Sequence, residues 1–229
     1  MGTIAENIAR IRERVFTSAS RAGRNPEEIT VVAVSKKVGV AQIREAVDAG
    51  LNIFGENYVQ EANAKISQFG EGVLWHMIGR LQTNKVKHSI SLFSMIQSIG
   101  SLHLAEEVSL RAGAAGKTMD VLIQVNMGDE TSKGGVSSDQ VLSLLGAVSS
   151  LKGIRVRGLM GMPPYFLNSE RVRPYFQKLR HHRDAILQYL PETISLPHLS
   201  MGMSGDFEVA IEEGATMVRI GTAIFGERT

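Results

Sequence analysis

The feature that most constrains this chain is an eightfold alternation between short apolar runs, often β-branched, and segments with helical spacing. Runs over 29–35, 52–55, 73–78, 92–96, 119–125, 154–159, 198–201 and 216–220 read as strands. The first contains Val31-Val32-Ala33-Val34 without polar alternation, the pattern of a parallel strand covered on both faces. Between the runs, helices are expected over 40–49, 58–69, 102–115, 138–149, 170–190 and 206–213, with another beginning over 84–89. Eight β/α units within 229 residues predict an α/β fold, a single (β/α)8 TIM-type barrel. The competing architecture is an open doubly wound sheet. The count of eight and the even burial of the strands favour the barrel.

An additional N-terminal helix precedes the first strand. Thr3 and Glu6 have the spacing of a capping box, Ile4, Ile8, Ile11, Val15 and Ala19 share one face, and Gly23 is a natural stop. No Pro-, Ser- or Gly-rich tract divides the chain, so residues 1–229 are expected to form one domain.

Composition narrows the function classes. The chain has no cysteine, which removes a disulfide framework, a thiolate metal site and a cysteine nucleophile. Its six histidines lack metal-ligand spacing, so no metal is expected. A net charge of +2 without a long basic run does not imply nucleic-acid binding. No apolar stretch is long enough for a membrane span, and the first residues mix Glu and Arg with apolar side chains, unlike a secretory signal. A cytoplasmic protein without membrane contact is expected.

A barrel of this kind builds its site from the C-terminal ends of its strands. Lys36 leaves the first run at its exit, where desolvation would favour a neutral, nucleophilic amine; the neighbouring Lys37 is equally consistent with a surface loop. Near the other end of the chain, Arg219-Ile220-Gly221-Thr222 combines a permanent cation with a glycine that permits close backbone approach to an anion. A short helical turn over 222–225 would direct N–H groups to the same place. Ser200 and Ser204, in Leu199-Ser200-Met201-Gly202-Met203-Ser204, add hydroxyls. A phosphate site after strands seven and eight is therefore expected. Plainer roles remain open: Ser204 or Asp206 as a helix cap, Arg219 in an ion pair with a carboxylate such as Glu56, and His76 as a packing residue.

Several segments together resemble the pyridoxal 5′-phosphate (PLP) homeostasis family, which is related to the N-terminal barrel of alanine racemases. They are Val32-Ala33-Val34-Ser35-Lys36, the stretch from Phe54 to Glu61, Trp75-His76-Met77-Ile78-Gly79-Arg80-Leu81-Gln82, Leu199 to Ser204, and Val218 to Gly226. Each is moderately specific, and the ordered set is highly specific. Met77 departs from the aromatic residue common at its position in that family. The resemblance implies that Lys36 forms an internal aldimine with PLP. It also implies that Arg219 faces the pyridine nitrogen and that Ser204, Gly221 and Thr222 hold the phosphate. Ser200 and Met201 would lie near the phosphate, and Asn57 beside the ring or its 3′-hydroxyl.

It further implies a PLP carrier and buffer acting in intracellular PLP homeostasis, affecting amino-acid and keto-acid balance, with transient contacts to PLP-dependent apoenzymes. Because arginine only donates, the ring nitrogen it meets stays unprotonated, a weak electron sink. The chain stops at Thr229, so no racemase-type C-terminal domain is expected, and a monomer without established turnover is the expectation. The alternatives are a PLP-dependent amino-acid racemase, a PLP-free Schiff-base barrel enzyme on a phosphorylated substrate, and a non-catalytic interaction protein.

Overall fold

The computed structural model describes residues 2–128, 134–190 and 195–227. Eight strands pair in sequence order, all parallel, and the last closes on the first, giving a closed barrel. They are β1 Thr30–Val34, β2 Ile53–Glu56, β3 Leu74–Met77, β4 Met95–Ile99, β5 Met119–Asn126, β6 Ile154–Met162, β7 His198–Met203 and β8 Met217–Ile220. The closing register places Val32 beside Arg219 and Ala33 beside Ile220. Among the described residues the helices are α1 Ile4–Arg21, α2 Val40–Asp48, α3 Val59–Ile66, α4 Val86–Leu92, α5 Leu102–Ala114, α6 Val141–Val148, α7 Arg173–Leu187, α8 Phe207–Glu212 and α9 Thr222–Phe225. None of them is long and apolar enough to cross a membrane.

Alternation along each strand sorts the side chains. Outward residues such as Ala33, Phe54, Trp75, Ile96, Ile123, Leu199 and Val218 join the helix faces in one apolar shell. Inward residues Val32, Met95, Leu122, Met160 and Met217 form a separate apolar plug within the barrel. Two residues further along their strands, Gln97, Gln124 and Arg219 have the same inward parity, so a polar layer sits on the plug.

The expected helix α1 forms, with the Thr3–Glu6 capping box in place: the Thr3 hydroxyl accepts from the Glu6 N–H at 3.2 Å and the Glu6 carboxylate accepts from the Thr3 N–H at 2.8 Å. Ile4, Ile8, Ile11, Val15 and Ala19 are buried. The buried Asn7 amide donates to the Ile224 carbonyl at 2.8 Å, tying α1 to α9. Arg14 reaches α8, pairing with Glu208 at 2.7 Å and lying over the Phe207 ring at 4.5 Å.

Three boundaries differ from the sequence reading in ways that matter for the site. The fourth strand begins at Met95, because Leu92 completes α4 and the Ser94 N–H joins the sheet by donating to the Trp75 carbonyl at 2.8 Å. Ser98 therefore lies within the strand. The sixth strand continues to Met162, so Met160 belongs to the plug rather than to a loop. The seventh continues to Met203, through Gly202 at φ +91°, where a Cβ would stand 2.5 Å from that of Ala210.

Ile8, on the helix α1 that packs against α8, α9 and α2, is almost fully buried. Ile8→Ala is expected to destabilise the fold by about 2–5 kcal/mol, measured by the shift of the urea unfolding midpoint at unchanged slope.

Candidate functional site

The cavity at the C-terminal mouth of the barrel has a volume of about 1320 Å3. All eight strands, or the residues just after them, contribute to its wall: Val34, Asn57, Ile78, Ser98, Gln124, Met162, Met203 and Arg219. Lys36, Ser204, Gly221 and Thr222 line the same space. Six of the eight residues expected at a binding site are thus brought together. Asn57 reaches it because Gly79 has no side chain: a Cβ there would stand 2.4 Å from the Asn57 carbonyl oxygen.

Ser200 and Met201 lie elsewhere. Met201 follows Ser200 on β7 and has the opposite parity, so its side chain is buried in the outer apolar shell and does not line the cavity. Ser200 is fully buried in the polar layer and acts on Arg219. The Arg219 guanidinium donates to the Ser200 hydroxyl at 2.7 Å and to the Gly161 carbonyl at 2.9 Å. The Ser200 hydroxyl donates to the Gln97 side-chain oxygen at 2.6 Å. The Gln97 amide nitrogen stands 2.9 Å from His76 Nδ1. Because an amide nitrogen only donates, Nδ1 accepts and the ring proton resides on Nε2. Polarity therefore runs one way along the chain, from the arginine to the histidine.

Arg219 is 4% exposed. Burial lowers its pKa to about 10, against the opposing field of Asp206, so it remains a cation at neutral pH. Among the described residues no carboxylate forms an ion pair with it. The expected alternative partner, Glu56, is instead fully buried and bonded to Lys65 Nζ at 2.8 Å and to the Ser35 hydroxyl at 2.7 Å. Burial pushes the Glu56 carboxyl above the usual carboxylate range, although both of those bonds pull the other way.

Beside Arg219, the N–H groups of Gly221 and Ala223 converge on the Ser204 hydroxyl oxygen at 3.2 and 3.3 Å. That oxygen accepts twice and keeps its own proton to donate, and the two bonds make its O–H a stronger donor. Ser204 is therefore not a cap of α8. Asp206, the residue before that helix, accepts from the Met203 N–H at 2.6 Å and makes no side-chain bond to the helix. Burial raises the Asp206 pKa, opposed by that bond and by Arg219.

Sequence reading missed Gln97 and Gln124. The usable signal was a polar residue two places beyond Met95 and Leu122, on the inward face of strands otherwise apolar. His76 is a packing residue in the sense expected, 4% exposed and hydrogen-bonded, though it terminates the chain from Arg219. Among the described residues no group of His, Asp or Glu could hold a metal ion.

The cavity, with its amine on one strand end and its donors on two others, belongs to a barrel of known type: the family model described as alanine racemase, N-terminal domain, matches residues 2–229. A pyridoxal phosphate homeostasis protein of Aquifex aeolicus is 47% identical over 224 residues, covering 97% of each chain. Its Escherichia coli counterpart, of the same description, is 43% identical, covering 100% of this chain and 98% of that one. Among solved structures, PipY of Synechococcus elongatus with PLP bound superposes with a TM-score of 0.88 at 34% identity, covering 98% of this chain and 100% of that one. The chain belongs to the alanine racemase N-terminal domain family and, within it, to the pyridoxal phosphate homeostasis proteins.

Burial lowers the His76 pKa to about 4, with the field of His198 adding to the effect. The unfolded chain binds this proton near 6.5, the ordinary value for histidine, so between about 6.5 and 4 the unfolded state holds more protons. The His76 contribution to stability is complete above that window and declines as pH falls through it. An NMR titration of the His76 ring is expected to give a midpoint near 4, well below that of an exposed histidine.

Proposed function

We propose that this chain binds PLP in the barrel-mouth cavity, linked covalently and reversibly through Lys36, and acts as a carrier and buffer of the cofactor. The observation that carries this reading is the placing of Lys36 in one cavity with Arg219, Ser204 and the Gly221 backbone, at the mouth where β8 closes on β1. The residues fit the cofactor. A buried cation without an ion-pair partner among the described residues is costly unless an acceptor reaches it. Converging backbone N–H groups, completed by a polarised hydroxyl, suit a phosphate. The names of the Aquifex aeolicus and Escherichia coli relatives, and PLP in the PipY structure, support the same reading.

When bound, PLP supplies an aldehyde that condenses reversibly with a primary amine. Lys36 is the amine in this reading, and Ser204, Gly221 and Thr222 bind the phosphate. Arg219 donates toward the ring nitrogen, and Ser200 orients Arg219. Asn57 stands beside the ring. Met201 serves by packing behind Ser200. Arg219 cannot accept, and the chain through Ser200 and Gln97 supplies no proton to it, so the ring nitrogen is held unprotonated. That suppresses electron withdrawal and favours storage and release over turnover. The proposed role is intracellular PLP homeostasis in the cytoplasm, by residues 1–229 as one monomeric domain. Release would occur in transient contact with PLP-dependent apoenzymes, with effects on amino-acid and keto-acid balance.

Borohydride reduction of the PLP-treated protein is expected to fix one adduct on Lys36, located by peptide mass spectrometry. Lys36→Ala should abolish both the adduct and the visible absorbance band. An adduct distributed over surface lysines would remove the basis of the reading. Rapid Lys36-dependent exchange of an amino acid α-proton would replace the carrier by a racemase. Ser204→Ala should weaken PLP binding by roughly 10- to 100-fold, the effect of one hydrogen bond to a charged group, measured by titration of the visible band.

A further inference from the structure

The stretch from Phe54 to Glu61 contributes one residue, Asn57, to the cavity wall, yet its two glutamates converge with a buried lysine directly behind the Lys36 turn. Lys65 of α3 is 7% exposed, an unusual position for an ammonium. Its Nζ donates to Glu61 at 2.6 Å, to Glu56 at 2.8 Å and to the Ser35 backbone carbonyl at 2.6 Å. Glu56 also accepts from the Ser35 hydroxyl at 2.7 Å, and Glu61 also accepts from the Lys37 backbone N–H. The residues on both sides of Lys36 are therefore held by one cluster, Ser35 through its carbonyl and hydroxyl and Lys37 through its amide.

Lys37 has φ +57°, the only positive value at a non-glycine among the described residues. A side chain disfavours that conformation, so the backbone there needs an external hold. The Glu61 carboxylate supplies it. The turn is closed by the Val38 N–H donating to the Ser35 carbonyl at 3.0 Å, the same carbonyl that Lys65 holds. Lys36 thus projects from a short segment whose ends are fixed to a buried ionic cluster.

We propose that Glu56, Glu61 and Lys65 are positioning residues that set the turn carrying Lys36 and so fix where its amine stands in the cavity. The inference rests on reading Lys36 as the amine that takes up PLP. Glu61 is the member suited to test, because its side chain is partly exposed and its removal leaves Glu56 paired with Lys65. Glu61→Ala releases the Lys37 amide, and the turn then bears the left-handed conformation alone. Lys37→Gly removes the steric objection to that conformation and should restore the turn without restoring the carboxylate.

The experiment compares the parent chain, Glu61→Ala and the Glu61→Ala/Lys37→Gly double variant by PLP titration of the visible band, thermal unfolding, and hydrogen exchange of the Val38 amide in PLP-free protein. Positioning predicts that Glu61→Ala weakens PLP binding roughly tenfold, with faster Val38 exchange, and that the added glycine reverses most of both changes. Unchanged affinity in Glu61→Ala overturns the proposal. So does a loss of affinity that follows a lowered unfolding temperature and is not recovered by the glycine, the behaviour of a mere staple between α3 and the barrel. If the parent chain takes up no PLP on Lys36, the functional reading fails separately. The Val38 exchange series then still decides whether the cluster sets the turn.

Discussion

Closure of β8 on β1 is the constraint on which the rest depends. It gives every strand an inside and an outside, and it places Arg219 beside Val32 of the first strand. Inside, a buried apolar cluster underlies the polar layer, and buried polar groups are stabilised by hydrogen-bond partners. Arg219, Ser200, Gln97 and His76 satisfy one another in a single directed series. The arginine is consequently desolvated and held by directed hydrogen bonds, unlike a solvated surface charge.

Arg219 and Lys36, on the neighbouring strands β8 and β1, are supported by different physics. Around Arg219 the support is neutral: a serine, a glutamine, a histidine held neutral by burial, and a backbone carbonyl. Around Lys36 it is ionic: two carboxylates gathered on the Lys65 ammonium. Among the described residues the guanidinium has no ion-pair partner, only the field of Asp206, so an acceptor from outside is favoured. The ionic cluster sets two carboxylates on one ammonium and also holds the backbone on either side of Lys36. A lysine presented in this way is distinguished from its neighbour Lys37, which is exposed.

Much of this was legible along the chain. The strand order, the barrel and the capped N-terminal helix follow from periodicity, because burial on both faces leaves unbroken apolar runs. Lys36, Arg219 and Gly221 were legible as chemistry emerging at strand ends. Strand limits were less so. Leu92 and Phe93 look like the start of a strand, but apolar residues close helices as readily as they open strands, and the hydrogen bond of Ser94 decides between them.

What the sequence by itself determined is the alternation that closes the barrel and the emergence of Lys36, Arg219 and Gly221 near its mouth, since both depend on local spacing. What only the tertiary structure decided is partnership. Glu56 went to Lys65 and not to Arg219, Ser204 turned to the amides of Gly221 and Ala223 and not to α8, and Met201 turned away from the cavity while Ser200 turned inward. Those choices join residues 9 to 103 positions apart in the chain. A hydrogen bond reaches about 3 Å, so its partner is set by where closure brings the strands and not by neighbours in sequence.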